Sequence, residues 1–378
     1  MPSTDYSFNR YWFIFLYPQL HRYTMQTITR SAIYLLIITL FTGCLSSDKK
    51  GDKKGEPFPV EKKLHGEQVL TIDNFIPDYI DVYNDSLLCF TSTLGEKGHH
   101  IALYQLSEKT FLPPILRVGG KDGQTLGYNT FGFEQGYLWN YDPGKEKIIF
   151  TRLDSLHEAG ASHFIKEMPV QGFYYSPQLV NDSTLLTSGN YFHSHDDYKL
   201  ATLDMTSGKS YNQMAPYSAD SSKPYTTPQK MSDESFLFLK PSKNKCVLAY
   251  RFTDRIELVD LDSRKSTIIR GQDMFEPRMK VMTRRNGTKI AYPGDESREA
   301  YVRGQVTDKY IYLLYSGNLP GGENLFYGKY IHVYDWDGKP VKRLELDNYT
   351  KDIAVTANDS LLYMYDPKST IISVAKLN

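Results

Sequence analysis

Two stretches of this sequence carry residue types and spacings that could do chemistry. His193-Ser194-His195-Asp196-Asp197 places two imidazoles two residues apart, with the Asp197 carboxylate two positions further on. Zinc takes imidazole and carboxylate ligands and needs three or four that converge. On a strand His193 and His195 would share a face, and in a loop they could chelate. No fourth ligand stands nearby, so the segment reads first as a solvated hairpin turn and second as a partial metal site of His193, His195 and Asp197. The other stretch runs from Gln272 to Ala300 and carries Arg278, Lys280, Arg284, Arg285 and Lys289, then Asp295, Glu296 and Glu299. Together with Gly317 to Tyr327 it supplies candidate ligand or partner contacts: Arg278, Arg284, Arg285, Asn318, Phe326 and Tyr327.

Other patterns point to structure rather than chemistry. Asp335-Trp336-Asp337-Gly338 opens like a calcium loop, but Lys339 and Leu346 stand where ligands five and twelve belong, so a tight turn is expected. Gly119-Gly120-Lys121-Asp122-Gly123 opens no helix after a strand, which argues against nucleotide binding. His99-His100 lies in the corresponding hairpin of the first unit; shared ligation with His193 and His195 across units is conceivable but weakened, because the two pairs come from the first and third units. Cys89 and Cys246 each sit inside an apolar strand and read as buried thiols rather than a disulfide. Asp-Ser-Leu and Asp-Ser-Thr at 85–87, 154–156, 182–184 and 359–361 resemble a short O-glycosylation motif, although three of the four are also turns of a repeat. No Ser/His/Asp constellation stands out, and no cofactor is implied.

Composition narrows the classes. The chain has 378 residues, with 44 basic and 44 acidic side chains and 40% hydrophobic residues. Neutrality argues against a nucleic-acid binder, and the apolar content argues against disorder.

The elements that must position these residues come from a repeat. Leu70 to Leu88 aligns without a gap on Leu344 to Leu362, with nine of nineteen positions identical. A turn followed by a β-rich run recurs near 85, 135, 182, 244, 308 and 359, and a second alternating strand follows most of these turns about ten residues on. Four short strands per roughly fifty residues, six times over, predict an all-β, six-bladed β-propeller with four-stranded antiparallel blades. The sixth unit ends after three strands, so the segment at 68–72 is expected to supply the fourth and close the ring. Inserted loops between blades gather on one face and commonly build a binding site. Propeller enzymes place several His and acidic residues on the innermost strands. Ile80-Asp81-Val82-Tyr83 and Val302-Arg303-Gly304-Gln305-Val306 show no such ring in sequence.

The beginning of the chain reads as address. Arg30 followed by the apolar run 32–41 has signal-peptide layout, and the run is about half a membrane span. Phe41-Thr42-Gly43-Cys44 resembles the bacterial lipobox, which makes Cys44 the expected lipid anchor. Residues 1–24 fit no signal layout and are expected to be an extra or untranslated segment before Met25. Residues 25–43 then form the signal, 44–64 a polar flexible tether, and 65–378 the propeller. The expected location is the outer membrane, periplasmic or surface side, held through the N-terminal lipid.

Lys240 to Tyr250, followed by Ile256-Glu257-Leu258-Val259-Asp260-Leu261, resembles the blade signature of TolB-type propellers. With the lipobox, the chain is similar to the TolB-like six-bladed propeller lipoproteins of Bacteroidetes. Arg117 to Gly123 matches their Gly-rich segment in position but lacks its Gly-Pro-Gly-Glu run. The resemblance implies the fold and an envelope location, and it carries no catalytic assignment. The His-x-His-x-Asp order at 193 resembles the opening of metallo-β-lactamase-type zinc sites, with Tyr198 where their last His stands; the propeller reading disfavours that class. The expected function is a lipid-anchored, monomeric, non-catalytic module that binds an envelope protein or glycan. The alternative is a propeller hydrolase or lyase acting on a sugar or lactone over the channel.

Overall fold

The computed structural model describes residues 55–96, 98–127, 130–153, 156, 163–189 and 197–378. Glu61–Leu64 (β1) and Glu67–Thr71 (β2) come first and belong to the last two blades. Blade 1 holds Tyr79–Tyr83 (β3), Leu87–Glu96 (β4) and His99–Gln105 (β5), with Thr110–Phe111 (β6) and Ile115–Arg117 (β7) sharing its outer edge. Blade 2 is Thr130–Glu134 (β8), Tyr137–Asp142 (β9), Lys147–Arg152 (β10) and Phe164–Pro169 (β11). Blade 3 is Gln178–Asn181 (β12), Thr184–Ser188 (β13), Tyr198–Asp204 (β14) and Lys209–Pro216 (β15), followed by a short helix, Thr227–Ser232 (α1). Blade 4 is Ser235–Leu239 (β16), Lys245–Tyr250 (β17), Arg255–Asp260 (β18) and Ser266–Arg270 (β19). A separate hairpin, Met279–Thr283 (β20) and Lys289–Pro293 (β21), precedes blade 5: Tyr301–Val306 (β22), Tyr310–Tyr315 (β23), Gly328–Asp335 (β24) and Pro340–Thr350 (β25). Blade 6 is Asp352–Val355 (β26), Leu361–Asp366 (β27) and Ile371–Lys376 (β28).

The ring closes as the repeat requires. β2 pairs antiparallel with β28, with Glu67 opposite Val374 and Thr71 opposite Ile371, and so becomes the fourth strand of blade 6. One strand lies beyond the expectation: β1 adds to blade 5 as a fifth strand, parallel to β25. The expected tether of 44–64 is therefore too long. Gly55 bonds to Gly271, Phe58 is buried, and β1 is part of a sheet, so residues 55–64 belong to the propeller. Charged Glu61, Lys62 and Lys63 hid the strand, because an outermost strand exposes most of its side chains and only Leu64 turns inward.

Strand alternation places the core between blades rather than within them. Leu88 and Phe90 of β4 pack toward blade 6, while Leu87 and Cys89 pack toward blade 2. An apolar cluster of this kind fills each interface around the ring. Cys89 and Cys246 are buried free thiols. The turns between first and second strands carry the expected left-handed residues, with φ of 48° and 54° at Asn84 and Asp85 and 58° at Asp359. Asp335-Trp336-Asp337-Gly338 is a tight turn: the Asp335 carboxylate accepts the amides of Asp337 and Lys339, and Trp336 is buried.

Candidate functional site

The innermost strands β3, β8, β12, β16, β22 and β26 neighbour one another around the axis. Because the blades are antiparallel, every crossing into an innermost strand emerges at the same end as every hairpin between second and third strands. This end is called the upper end below. It carries the crossing 271–300 between blades 4 and 5, the crossing 217–234 that contains α1, and the hairpin loop 316–327 of blade 5. The lower end is made mostly of short turns.

The channel holds polar groups that no local motif joins. Gln305 donates through Nε2 to Asp81 Oδ1 at 2.6 Å, linking blade 5 to blade 1 across the face of blade 6. Asp81 Oδ1 also accepts the Val82 amide at 2.7 Å. Asp352 accepts the amide of Ile80 from the neighbouring blade at 2.8 Å and that of Ile353 at 2.9 Å. These bonds satisfy innermost-strand amides that have no further strand to pair with. The Arg303 guanidinium lies 4.5 Å from the Tyr79 ring centroid and 5.4 Å from that of Phe236, joining blades 1, 4 and 5. Its Nη1 donates to Val302 O, and among the described residues its buried Nε has no partner.

Burial pushes the Asp81 carboxyl up to about 7, and the nearby Asp352 carboxylate adds to the rise. Burial likewise lifts Asp352 to about 6, held in check by Arg303 and by the two amides. Asp81 and Asp352 come within electrostatic reach of each other at the axis, beside Arg303 and Gln305.

A second charged group lies toward the channel mouth. Arg251 Nε and Nη2 grip both oxygens of Glu299 at 2.7 and 3.0 Å, and Nη1 donates to Glu234 at 2.7 Å. Burial raises the Glu299 pKa against the pull of Arg251. The Arg251 cation also lies 5.6 Å from the ring of Phe326, which is 46% exposed at the rim. Asn318 Nδ2 donates to Asn324 O, and the Asn318 carbonyl accepts the Glu299 amide, so the loop of blade 5 is tied to the base of the long crossing.

The proposed contact residues divide into two places. Asn318, Phe326 and Tyr327 lie in the blade 5 loop beside Arg251. Arg278 immediately precedes β20, while Arg284 and Arg285 sit at the hairpin's tip, where the amides of Arg284 and Gly287 close the turn. His193 and His195 lie outside the described residues. Asp197 is described: it is exposed, and its carbonyl accepts the Tyr217 amide at 2.9 Å. Among the described residues no group of three His, Cys, Asp or Glu is placed to hold a metal. His100, by contrast, is buried on β5 with Nδ1 bonded to Ser92 O at 3.0 Å, so it is part of a blade rather than a loop ligand. Cys44 also lies outside the described residues. Among those described, no helix is long and apolar enough to cross a membrane.

A closed ring of six blades sealed by an N-terminal strand, with its long loops at one end, defines a six-bladed β-propeller. The chain belongs to the family described as TolB-like 6-blade propeller-like, whose pattern matches residues 57–358. Among solved structures it is similar to an exported protein of Bacteroides fragilis NCTC 9343, at 10% identity and a TM-score of 0.50, over 84% of this chain and 98% of that one. It is also similar to the β-propeller domain of Cps50 (Swd1) from Myceliophteria thermophila, at 10% identity and 0.46, over 83% and 100%. A third likeness is to the hydrazine synthase of Kuenenia stuttgartiensis, at 11% identity and 0.45, over 82% and 98%. Comparison with curated proteins gives no significant match.

Proposed function

We propose that this chain is a lipid-anchored propeller of the cell envelope that holds a protein partner at its upper end without chemistry of its own. The observation that carries the reading is the gathering of exposed apolar side chains at that end. Ile76, Phe173, Leu319 and Phe326, at 55%, 51%, 47% and 46% exposure, all lie in upper-end loops. Exposed apolar side chains at one end favour a protein partner over a glycan. Arg30, the apolar run 32–41 and Cys44 support the anchor and the envelope location, and the neutral charge disfavours nucleic acid. A photoreactive residue placed at Leu319 in living cells should give a discrete crosslinked species, and the same residue at Asp262 in a lower-end turn should give none. Equal crosslinking at both positions would remove the upper end as the binding face.

One observation favours a second reading. Two carboxyls with raised pKa beside an arginine, at the axis of a propeller, could serve acid–base chemistry on a sugar or lactone. Turnover of any member of a lactone and glycoside panel that vanishes in Asp81→Asn would establish it.

A further inference from the structure

The crossing between blades 4 and 5 has features that partner binding at the channel mouth does not use. Its hairpin rises as a separate two-stranded sheet, with Val281 opposite Ala291 and Met282 opposite Ile290. Its inner side is fixed: Met279, Ile290 and Ala291 pack on Met231 of α1, and the Ala291 amide lies 3.4 Å from the Met231 sulfur. The rest is left outward, with Val281 at 57%, Met282 at 48% and Tyr292 at 38% exposure. Between Pro277 and Gly294 the segment carries Arg278, Lys280, Arg284, Arg285 and Lys289 and no acid. Lys280 is paired with Asp295 at 2.8 Å, while the side chains of Arg278, Arg285 and Lys289 stand exposed. Exposed aliphatic side chains interleaved with cations match the layered chemistry of a bilayer surface, apolar below and anionic above.

The route of the chain supplies the second observation. The propeller begins at Gly55, whose amide donates to Gly271 O at 3.2 Å, and a Cβ on Gly55 would collide with Arg270 O. Gly271 is the first residue of the long crossing. The tether therefore leaves the propeller at the base of the insertion that carries the hairpin. Only residues 45–54 separate Cys44 from Gly55, a span of at most ~40 Å when fully extended. That linker is itself cationic, with Lys49, Lys50, Lys53 and Lys54 against Asp48 and Asp52.

We propose that the β20–β21 hairpin is a second membrane contact, which lays Val281, Met282 and Tyr292 into the interface of an anionic bilayer beside the lipid anchor, with Arg278, Arg285 and Lys289 on the headgroups. The inference rests on the anchored reading given above. Multiple acyl chains already hold such a protein firmly, so the hairpin sets orientation rather than affinity: it fixes which side of the ring faces the bilayer.

The test uses the full-length acylated protein in vesicles of phosphatidylethanolamine with phosphatidylglycerol, and in vesicles of phosphatidylcholine alone. An environment-sensitive fluorophore is attached at Val281→Cys or, as control, at Asp262→Cys in a lower-end turn; native Cys89 and Cys246 are buried. Flotation reports the anchor, and quenching by brominated lipid reports the hairpin. The expected result is equal flotation for all proteins, with quenching at 281 at least about threefold above that at 262 in anionic vesicles. The combined variant Arg278→Glu, Arg285→Glu, Lys289→Glu should float normally and lose that difference. Flotation without preferential quenching at 281 overturns the hairpin contact while sparing the anchor, and protection of 281 by an acidic peptide in place of lipid overturns it equally. Failure to float overturns the anchored reading and this inference with it.

Discussion

Two crossings between neighbouring blades do the same job with very different amounts of chain. From blade 5 to blade 6 the link is Lys351 alone, between β25 and β26. From blade 4 to blade 5 it is Gly271 through Ala300. The short link is pinned by its own side chain: Lys351 Nζ donates to Pro77 O at 2.8 Å and to Asp78 at 3.0 Å, and the next residue, Asp352, takes the Ile80 amide. The long link is clasped at its two ends, and its hairpin rests on Met231 between them. Gly271 donates to Asp254 O, the Asp254 carboxylate accepts the amides of Asp273 and Met274, Ala300 donates to Arg251 O, and Arg251 grips Glu299. The ring geometry is thus set by clasps at the strand ends and is indifferent to the length between them. The stretch between the clasps is free to acquire another role.

The largest effect is expected at the clasp. Arg251→Ala leaves Glu299, whose side chain is 4% exposed, without its counter-charge. Removing one partner of such a pair costs about 3 kcal/mol, and urea denaturation should show it, with partial recovery in Arg251→Lys. A loss below about 1 kcal/mol would mean that the crossing is held by its backbone bonds alone.

The next effect is smaller and depends on pH. Asp81 has a folded pKa of about 7 against the ordinary carboxylate value of 3.8, so its ionisation opposes folding. The stabilising preference for the protonated form is complete below about pH 4 and is lost as pH rises through 7. Asp81→Asn keeps an acceptor for Gln305 and removes the charge. It should leave stability unchanged at pH 4 and raise it by about 1–3 kcal/mol at pH 8. Destabilisation at pH 8 would show instead that the charged carboxylate is the favoured partner of Gln305 and Arg303.

The mildest change removes the most chain. Replacing residues 279–293 by a short Gly-Ser linker deletes β20 and β21 and their packing on Met231 but no clasp. The expected cost is about 1 kcal/mol or less, because loop-closure entropy varies slowly with length. A collapse of the thermal transition would place the hairpin in the structural core of the ring.

What the sequence disclosed follows the same division. The turns and strands of each blade repeat, so Asn84-Asp85-Ser86 and Asn358-Asp359-Ser360 announced the same element twice, and the closing strand was visible because Leu70-Thr71-Ile72 copies Leu344-Glu345-Leu346. The polar groups at the axis lay beyond such reading. Asp81 and Gln305 are separated by 224 residues and meet only because the ring closes. Nothing local distinguishes Gln305 from any other strand glutamine. Glu299 and Arg251 are 48 residues apart, and their pairing depends on the clasp geometry rather than on a motif. The basic insertion was legible as an irregularity, yet its position beside Gly55 was not, because that adjacency joins two parts of the chain that share no repeat.

The parallel strand β1 has a mechanical consequence. It enters at the edge of blade 5 immediately ahead of β2, the strand that seals blade 6. A pull on the chain from the N-terminal side of Gly55 meets the pairing of Glu61–Leu64 with Arg343–Leu346 before it reaches the seal. Phe58, packed at 4.7 Å against His332, takes up load earlier still. The fifth strand therefore works as a strain relief: a pull from the N-terminal side frays β1 first and leaves the ring shut.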